Sequence, residues 1–392
     1  IQGLLVDSFI TSRNFEGAMA LLEKNKNYAS KATYQKVAFF RGVELFIDTK
    51  YEGAIDAFKK SLSNAEDGVF KARSNYWKAE SEYALNQFDD ALVDYVQFQQ
   101  NPSAKTTPEY KDLNYNLAYT YFKLKDYSNA VTYFGNFAGS NPSDTDRLHD
   151  AYLRMGDSYF VTSKYWPAIE TYNKALALKG PEQDYATYQK ALSHGFIDRA
   201  DTKIEELTKF ISNYPNSPLN DDALFELGNS YIRANDIDKG MQTYDRLING
   251  QKSSPLVPQA LMREGLVQYN AGNNEQALAK LKTVVRDYPN TQEAIQAVAT
   301  AKLIYVDMGR VDEYGQWVKG LDFVEVSDSE LDNATYESAD KPYVEGNKEA
   351  AIKGFEKYIK QFPNGLHSLK ANFNLAQLYF GKDQKDKALP LY

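Results

Sequence analysis

One short phrase recurs along nearly the whole chain and limits what it can fold into: an aromatic residue, two residues, a small residue, three residues, then a large apolar residue. Clear copies are Tyr51…Ala54…Phe58, Phe88…Ala91…Tyr95, Tyr127…Ala130…Phe134 and Tyr165…Ala168…Tyr172. Looser copies are Phe15…Ala18…Leu22, Gly240…Tyr244, Ala277…Leu281, Ala351…Phe355 and Ala388…Tyr392. Taken as a marker, the small residue stands at 18, 54, 91, 130, 168, 240, 277, 351 and 388, with first steps of 36, 37, 39 and 38 residues. The gaps of 72 and 74 are double steps, so a degenerate unit is expected near Lys203 and another near Glu313. This makes about eleven units at a mean step of roughly 37 residues.

Twelve residues before each marker stands a second small residue: Gly42, Ala79, Ala118, Gly156, Ala191, Gly228, Gly265, Ala339 and Ala376. A pair of small residues at this separation fits two helices of a hairpin crossing at close range, since only Gly, Ala or Ser admits the short end of the usual interaxial distance. The apolar residues around them keep helical spacing, as in Leu117, Tyr121 and Leu124, or Leu224, Leu227 and Tyr231. Lys125-Asp126, Asn235-Asp236 and Gly272-Asn273-Asn274 mark turns inside units. Asn141-Pro142, Tyr214-Pro215-Asn216, Tyr288-Pro289-Asn290 and Phe362-Pro363-Asn364 close second helices. The expected fold is all-α, a solenoid of about eleven helix pairs, because one pair cannot bury enough apolar area to offset its ordering entropy and must share its face with the next.

Composition narrows the function. The net charge is −8 and no run of five Lys or Arg exists, so nucleic acid is a poor partner. No stretch of about 18 apolar residues is present to span a bilayer. The 392 residues include 30 Tyr and 21 Phe, side chains that suit helix-pair packing with a buried ring and a wet tip. There is no cysteine, which excludes disulfides and thiolate metal sites and permits an oxidising compartment without requiring one. The chain opens IQGLL without methionine and stops inside a helical phrase at Ala388–Tyr392, so it reads as a processed or excised piece. Membrane association would then rest on a lipid anchor outside this sequence.

The paired small residues, the aromatic three before the second of them and the closing proline resemble the tetratricopeptide repeat, across essentially all of the chain. The step of 37 against the family's usual 34, Lys203 at a small position and the missing marker near Glu313 depart from it. The phrases YPNSPLNDDALFELGNSYI and FPNGLHSLKANFNLAQLYF are similar in style to bacterial envelope members, including the periplasmic coordinator of the Tol-Pal system and the lipoprotein subunit of the outer-membrane β-barrel assembly machine. The resemblance implies right-handed superhelical stacking, first helices lining a concave groove, a periplasmic or outer-membrane-associated location, and a protein or peptide partner.

Residues of the first helices that point away from their own second helix are the binding candidates. They are Tyr76, Trp77 and Tyr83 with Arg73 and Glu80; Tyr115, Asn116, Tyr119 and Phe122 with Lys123; Arg154 and Phe160 with Asp157; and Phe225, Asn229 and Arg233 with Glu226. Asn pairs with peptide backbone in both senses, and aromatic faces grip side chains with little entropy loss. The competing reading is that these aromatics are packing between repeats. The Lys- and Asn-rich clamp with which some family members hold a C-terminal carboxylate is not matched, Asn116, Arg154 and Asn229 being isolated pieces of it.

The rhythm organises the chain as an array over 1–320 with its degenerate unit near 185–215, an irregular connector over 321–347, and further units over 348–392, the last one truncated. Within the connector, Asp322–Val326 alternates like a short strand or extended loop, and Ser327-Asp328-Ser329-Glu330 reads as a helix N-cap. Nothing points to catalysis. His149, His194 and His367 stand in different units without ligand-spaced partners and are expected at the surface or an interface. No nucleophile elbow, phosphate loop or dinucleotide fingerprint occurs. No metal or cofactor is expected. The sequence reads as a non-catalytic interaction scaffold of the bacterial cell envelope. A cytoplasmic repeat adaptor, or the non-catalytic region of a larger enzyme or assembly factor, is the alternative.

Overall fold

The structure is a computed structural model that describes residues 2–140 and 142–392; Asn141 of the Asn141-Pro142 turn lies outside the described residues. It contains helices and no strand among those residues. The chain forms two compact units, one ending at Glu206 and one from Leu207 to Tyr392.

The first unit contains α1 (Gln2–Thr11), α2 (Phe15–Lys24), α3 (Lys31–Ile47), α4 (Tyr51–Ser63), α5 (Gly68–Ala84), α6 (Phe88–Gln100), α7 (Leu113–Lys123), α8 (Tyr127–Gly139), α9 (Thr145–Val161), α10 (Tyr165–Ala177) and α11 (Gln183–Gly195). The unit boundary falls within α12 (Ala200–Asn213). The second unit continues with α13 (Asn220–Arg233), α14 (Ile237–Gly250), α15 (Val257–Asn270), α16 (Asn274–Asp287), α17 (Gln292–Asp307), α18 (Val311–Val318), α19 (Asp328–Val344), α20 (Lys348–Gln361), α21 (Ser368–Phe380) and α22 (Lys385–Ala388). In each unit consecutive helices pack, and first helices of neighbouring pairs also touch, as α3 with α5, α7 with α9 and α15 with α17. This is the stacking of a solenoid. No helix of the described residues is long and apolar enough to cross a membrane.

The repeat is set most regularly by its inner turn. Arg13, Thr49, Asn86, Lys125, Ser163, Asp198, Asn235, Gly272, Gly309, Gly346 and Asp383 all have left-handed backbones, with φ from 57° to 81°. The N–H of the following residue bonds the carbonyl five positions back in every one of the eleven turns, as in Gln87 to Glu82 and Asn273 to Gln268, at 2.8 to 3.0 Å. The left-handed residue thus closes the first helix. The residue after it starts the next: Asn14, Asp126, Asp236 and Asn347 cap second helices with their side chains. Each left-handed residue stands five before the marker position, which places Lys203 and Tyr314 in the two degenerate units.

The small residues are required chiefly by rings. A Cβ added at Gly42 would stand 2.5 Å from Cε1 of Phe58, and one at Gly228 equally close to Tyr244. At Gly156 the same position is filled by the ring of Tyr172. In each case the ring is four residues after the second marker, so it crosses back over its own hairpin partner. Closeness of backbones, the reason expected from sequence, applies at Gly354, where an added Cβ would meet Cα of Ala339 at 2.8 Å.

The degenerate units are helix pairs with altered crossings. Lys203 is buried, and its aliphatic stem lies over Gly195, where an added Cβ would meet Cδ at 2.8 Å. The absence of a side chain on α11 compensates for the long one on α12. In the α17–α18 pair the second helix has only eight residues, and Tyr314 fills the marker position, fully packed against Tyr305 and Trp317. Of the connector expected over 321–347, only 321–327 is irregular, and it forms no strand; 328–344 is α19, the first helix of the next pair. Phe323, Val324 and Val326 of this stretch pack on the core of α15–α18. Ser327 accepts a hydrogen bond from the N–H of Glu330 at 3.2 Å and caps α19.

The core is shared between neighbours. Tyr76, Ala79, Ala91, Tyr95 and Phe98 of α5–α6 form one cluster with Leu113 and Leu117 of α7. His149, expected at the surface or an interface, lies inside the contact between α9 and the end of α10. It is fully buried, with Gly180 against its ring and Nδ1 2.9 Å from the carbonyl oxygen of Ala175. An imidazole fits there because Gly180 leaves room for it.

Candidate peptide-binding site

The first helices α5, α7 and α9 bring the candidate residues of the first unit onto neighbouring faces. Asp67 caps α5 by accepting from the N–H groups of Val69 and Phe70, and Asp144 caps α9 by accepting from Arg147. These caps satisfy first-turn N–H groups and favour the helix dipole. Ala72 and Ala79 of α5 and Leu117 and Ala118 of α7 face the core, which leaves Glu80 and Tyr83, and Tyr115, Asn116 and Tyr119, only partly buried.

These five residues, with Tyr95 of α6, line a pocket of about 190 Å³. At its back, Tyr95 Oη donates to Glu80 Oε1 at 2.6 Å. Asn116 Nδ2 donates to the same carboxylate and to Tyr76 Oη, the latter at 2.8 Å, tying α7 to α5. Burial pushes the Glu80 carboxyl above its ordinary value, against the opposing pull of the bonds from Tyr95, Tyr76 and Asn116. Burial and the nearby carboxylates of Glu80 and Asp150 raise Tyr83 to about 12, so its hydroxyl is neutral and able to donate at physiological pH.

A second network joins α7 to α9. Tyr115 donates to Asp150 Oδ2 at 2.7 Å, and Tyr119 donates to the same oxygen. Arg154 bonds Asp150 at 3.3 Å, Asp157 at 2.6 Å and Glu182 at 2.9 Å. Its guanidinium is partly buried, but the carboxylates of Asp157 and Asp150 outweigh that cost and hold it above its ordinary pKa. Asp157 also accepts from Tyr172 at 2.9 Å and Tyr185 at 2.8 Å. Arg154 is therefore a structural centre, with its donors largely committed.

The other candidates are placed apart from the pocket. Trp77 donates its indole N–H to Glu109 at 2.9 Å, beside Arg73, which bonds the same oxygen at 2.8 Å. Phe122 packs edge-on against Tyr127 and Tyr119, its ring centroid 5.6 Å and 6.5 Å from theirs. Phe160 contacts Tyr165 and Phe196. Phe225, Asn229 and Arg233 belong to the second unit; there Phe225 packs on Tyr244, Asn229 accepts from Tyr244 Oη at 2.7 Å, and Arg233 is exposed.

Sequence reading missed Tyr95 and Asp150. A signal for Tyr95 exists in the sequence. Glu80–Tyr95, Asp157–Tyr172 and Asn229–Tyr244 are each fifteen apart and each hydrogen-bonded. Where the later residue is Phe58 or Leu281, the earlier one is apolar, Val43 or Leu266. In these five units a polar residue just after the first small marker goes with a tyrosine after the second, whereas Asp340, fifteen before Phe355, is bonded by Tyr336 instead. Asp150, four before Arg154, has no such repeating partner.

With this geometry in view, family models described as tetratricopeptide repeat match residues 112–144 in the first unit and 222–250, 259–291 and 336–365 in the second. A tetratricopeptide repeat-containing protein of Methanocaldococcus jannaschii is 24% identical over 328 residues, covering 80% of this chain and 54% of that protein. The chain thus spans about half the length of this curated relative. Among solved structures, a tetratricopeptide repeat protein from Parabacteroides merdae is 15% identical, covering 69% of this chain and 98% of that one, with a TM-score of 0.43. The repeat protein YrrB, described as having an unusual peptide-binding site, is 19% identical, covering 53% and 95%, with a TM-score of 0.41. The matched repeats agree in phase with the helix pairs α7–α8, α13–α14, α15–α16 and α19–α20, and the chain contains tetratricopeptide repeats.

Proposed function

We propose that this chain is a non-catalytic scaffold that binds a protein or extended peptide along the α5–α7–α9 face, in the bacterial cell envelope. The observation that carries the binding site is the pocket between α5 and α7, where Tyr83, Tyr115, Asn116 and Tyr119 remain partly open while their neighbours are sealed into the core. Aromatic and amide side chains on rigid helices lose little entropy on binding a peptide. Tetratricopeptide repeats generally mediate protein–protein contacts, which supports a protein partner over nucleic acid, as does the net charge of −8. The envelope location draws on the repeat style of the YPNSPLNDDALFELGNSYI and FPNGLHSLKANFNLAQLYF segments.

Panning a random peptide display library on the immobilised chain tests the site. Selected peptides should bind the parent and lose about tenfold or more when Tyr83 and Phe122 are both replaced by alanine, the usual scale for aromatic anchors. Neither side chain hydrogen-bonds the framework, unlike Tyr115, Tyr119 and Arg154, so the helical spectrum should survive. Unaltered affinity in a folded double variant would move the site elsewhere. Fractionation of the producing cells tests the location, and recovery of the chain in the cytosol alone would overturn it.

A further inference from the structure

The buried carboxylates around α5 and α9 are matched by cations, with one exception. Lys78 serves both Glu82 and Asp94, Arg73 bonds Glu109 at 2.8 Å, and Arg154 bonds Asp157 at 2.6 Å. Glu80 has no ion-pair partner among the described residues. Its hydrogen bonds come from Tyr95, Tyr76 and Asn116, all neutral donors. The nearby cation Arg147 is bound to Asp112 at 2.7 Å, with its guanidinium 5.3 Å from the centroid of Tyr115. Without a counter-ion, burial works against the charged form of this carboxyl, and a cation entering the pocket would stabilise the carboxylate in its low local dielectric.

The remaining walls add to that field. Tyr83, Tyr95, Tyr115 and Tyr119 surround the pocket, and aromatic faces carry negative potential that attracts a cation. The volume of about 190 Å³ suits one side-chain head group and excludes a folded element.

We propose that this pocket takes the guanidinium of an arginine side chain in the bound peptide, with Glu80 as its counter-charge and the tyrosine rings as its walls. The proposal rests on the reading of this face as the peptide site and adds the chemistry that selects the peptide. Arginine fits better than lysine because guanidinium is planar, stacks on rings and is more weakly hydrated than ammonium. The pocket then anchors one residue and the adjoining first-helix faces accommodate the rest.

The probes are three acetylated, amidated tripeptides, Gly-Arg-Gly, Gly-Lys-Gly and Gly-citrulline-Gly, titrated against the full chain by ligand-observed NMR. The arginine probe should bind, and the neutral citrulline isostere should bind about tenfold more weakly. Glu80→Gln should remove most of that difference. Tyr83→Leu, which keeps apolar bulk and removes a ring, should weaken the arginine probe about fivefold; it also serves as the test if Glu80→Gln lowers the melting temperature. Equal binding of arginine and citrulline, no binding of arginine, or no effect of Tyr83→Leu in folded protein overturns the proposal. Tighter binding of the lysine probe overturns the choice of guanidinium. Library peptides that bind unchanged after their arginines become citrulline would refute this inference and leave the peptide-binding reading intact. A chain that selects no peptide at all refutes that reading.

Discussion

Replacing Gly156 by alanine separates two physical effects of opposite sign. In an open helix interior the exchange stabilises by about 0.5–1 kcal/mol, because glycine loses more backbone freedom on folding. At position 156 the new methyl group falls within the ring of Tyr172. That ring cannot step aside freely, since it is fully buried and its hydroxyl donates to Asp157 at 2.9 Å. Overpacking of this kind costs about 1–3 kcal/mol, and misaligning a bond to a charged acceptor adds to it. The net expectation is a destabilisation of about 1–2 kcal/mol once helix propensity is subtracted. Gly135 in α8 is the internal control, because its nearest neighbour to an added Cβ is Met155 Cε at 3.9 Å. Gly135→Ala should therefore stabilise by about 0.5–1 kcal/mol. Urea denaturation followed by far-ultraviolet circular dichroism gives both midpoints. If the two variants shift in the same direction, ring-over-glycine crossing is not what fixes the small residue in the repeat.

Lys125 holds a left-handed backbone at φ 61° in the turn between α7 and α8, so Lys125→Gly should stabilise by about 0.5 kcal/mol, the conformational relief less the entropy of glycine. A lowered urea midpoint would contradict that assignment. Glu264 is fully buried beside Lys280 at 2.5 Å, and burial pushes its carboxyl up to about 7. Since the folded pKa lies above the unfolded one, the folded chain binds the extra proton between about pH 4.5 and about pH 7, and stability falls as pH rises through that window. Glu264→Gln should remove this slope and raise stability above neutral pH by roughly 1–3 kcal/mol; an unchanged pH profile refutes the buried charge.

What the sequence disclosed follows from which interactions repeat. The second marker, the first marker and the closing proline recur in phase, so helix pairing and the number of units were readable from spacing. The left-handed turn residue recurs more regularly still, in all eleven pairs, yet it is glycine only at 272, 309 and 346. Asn, Asp, Lys, Arg, Ser and Thr hold the other turns, because the hydrogen bond to the carbonyl five residues back stabilises a conformation their side chains do not advertise. The Lys203 unit looked defective because its compensation is Gly195 on the partner helix, eight residues away and outside the marker pattern. The candidate site was legible as a set of first-helix residues. Its division of labour was not: Tyr119 and Arg154 look alike as exposed anchors in a helical projection, and only the position of Asp150 shows that both are held by one carboxylate.

Hydrogen–deuterium exchange of the chain, alone and with a peptide selected by display, measures the central claim most directly. Binding along the first-helix face predicts slowed exchange concentrated in α5, α7 and α9, with α6, α8 and α10 little changed. Protection confined to the second helices, or to the second unit, would contradict it.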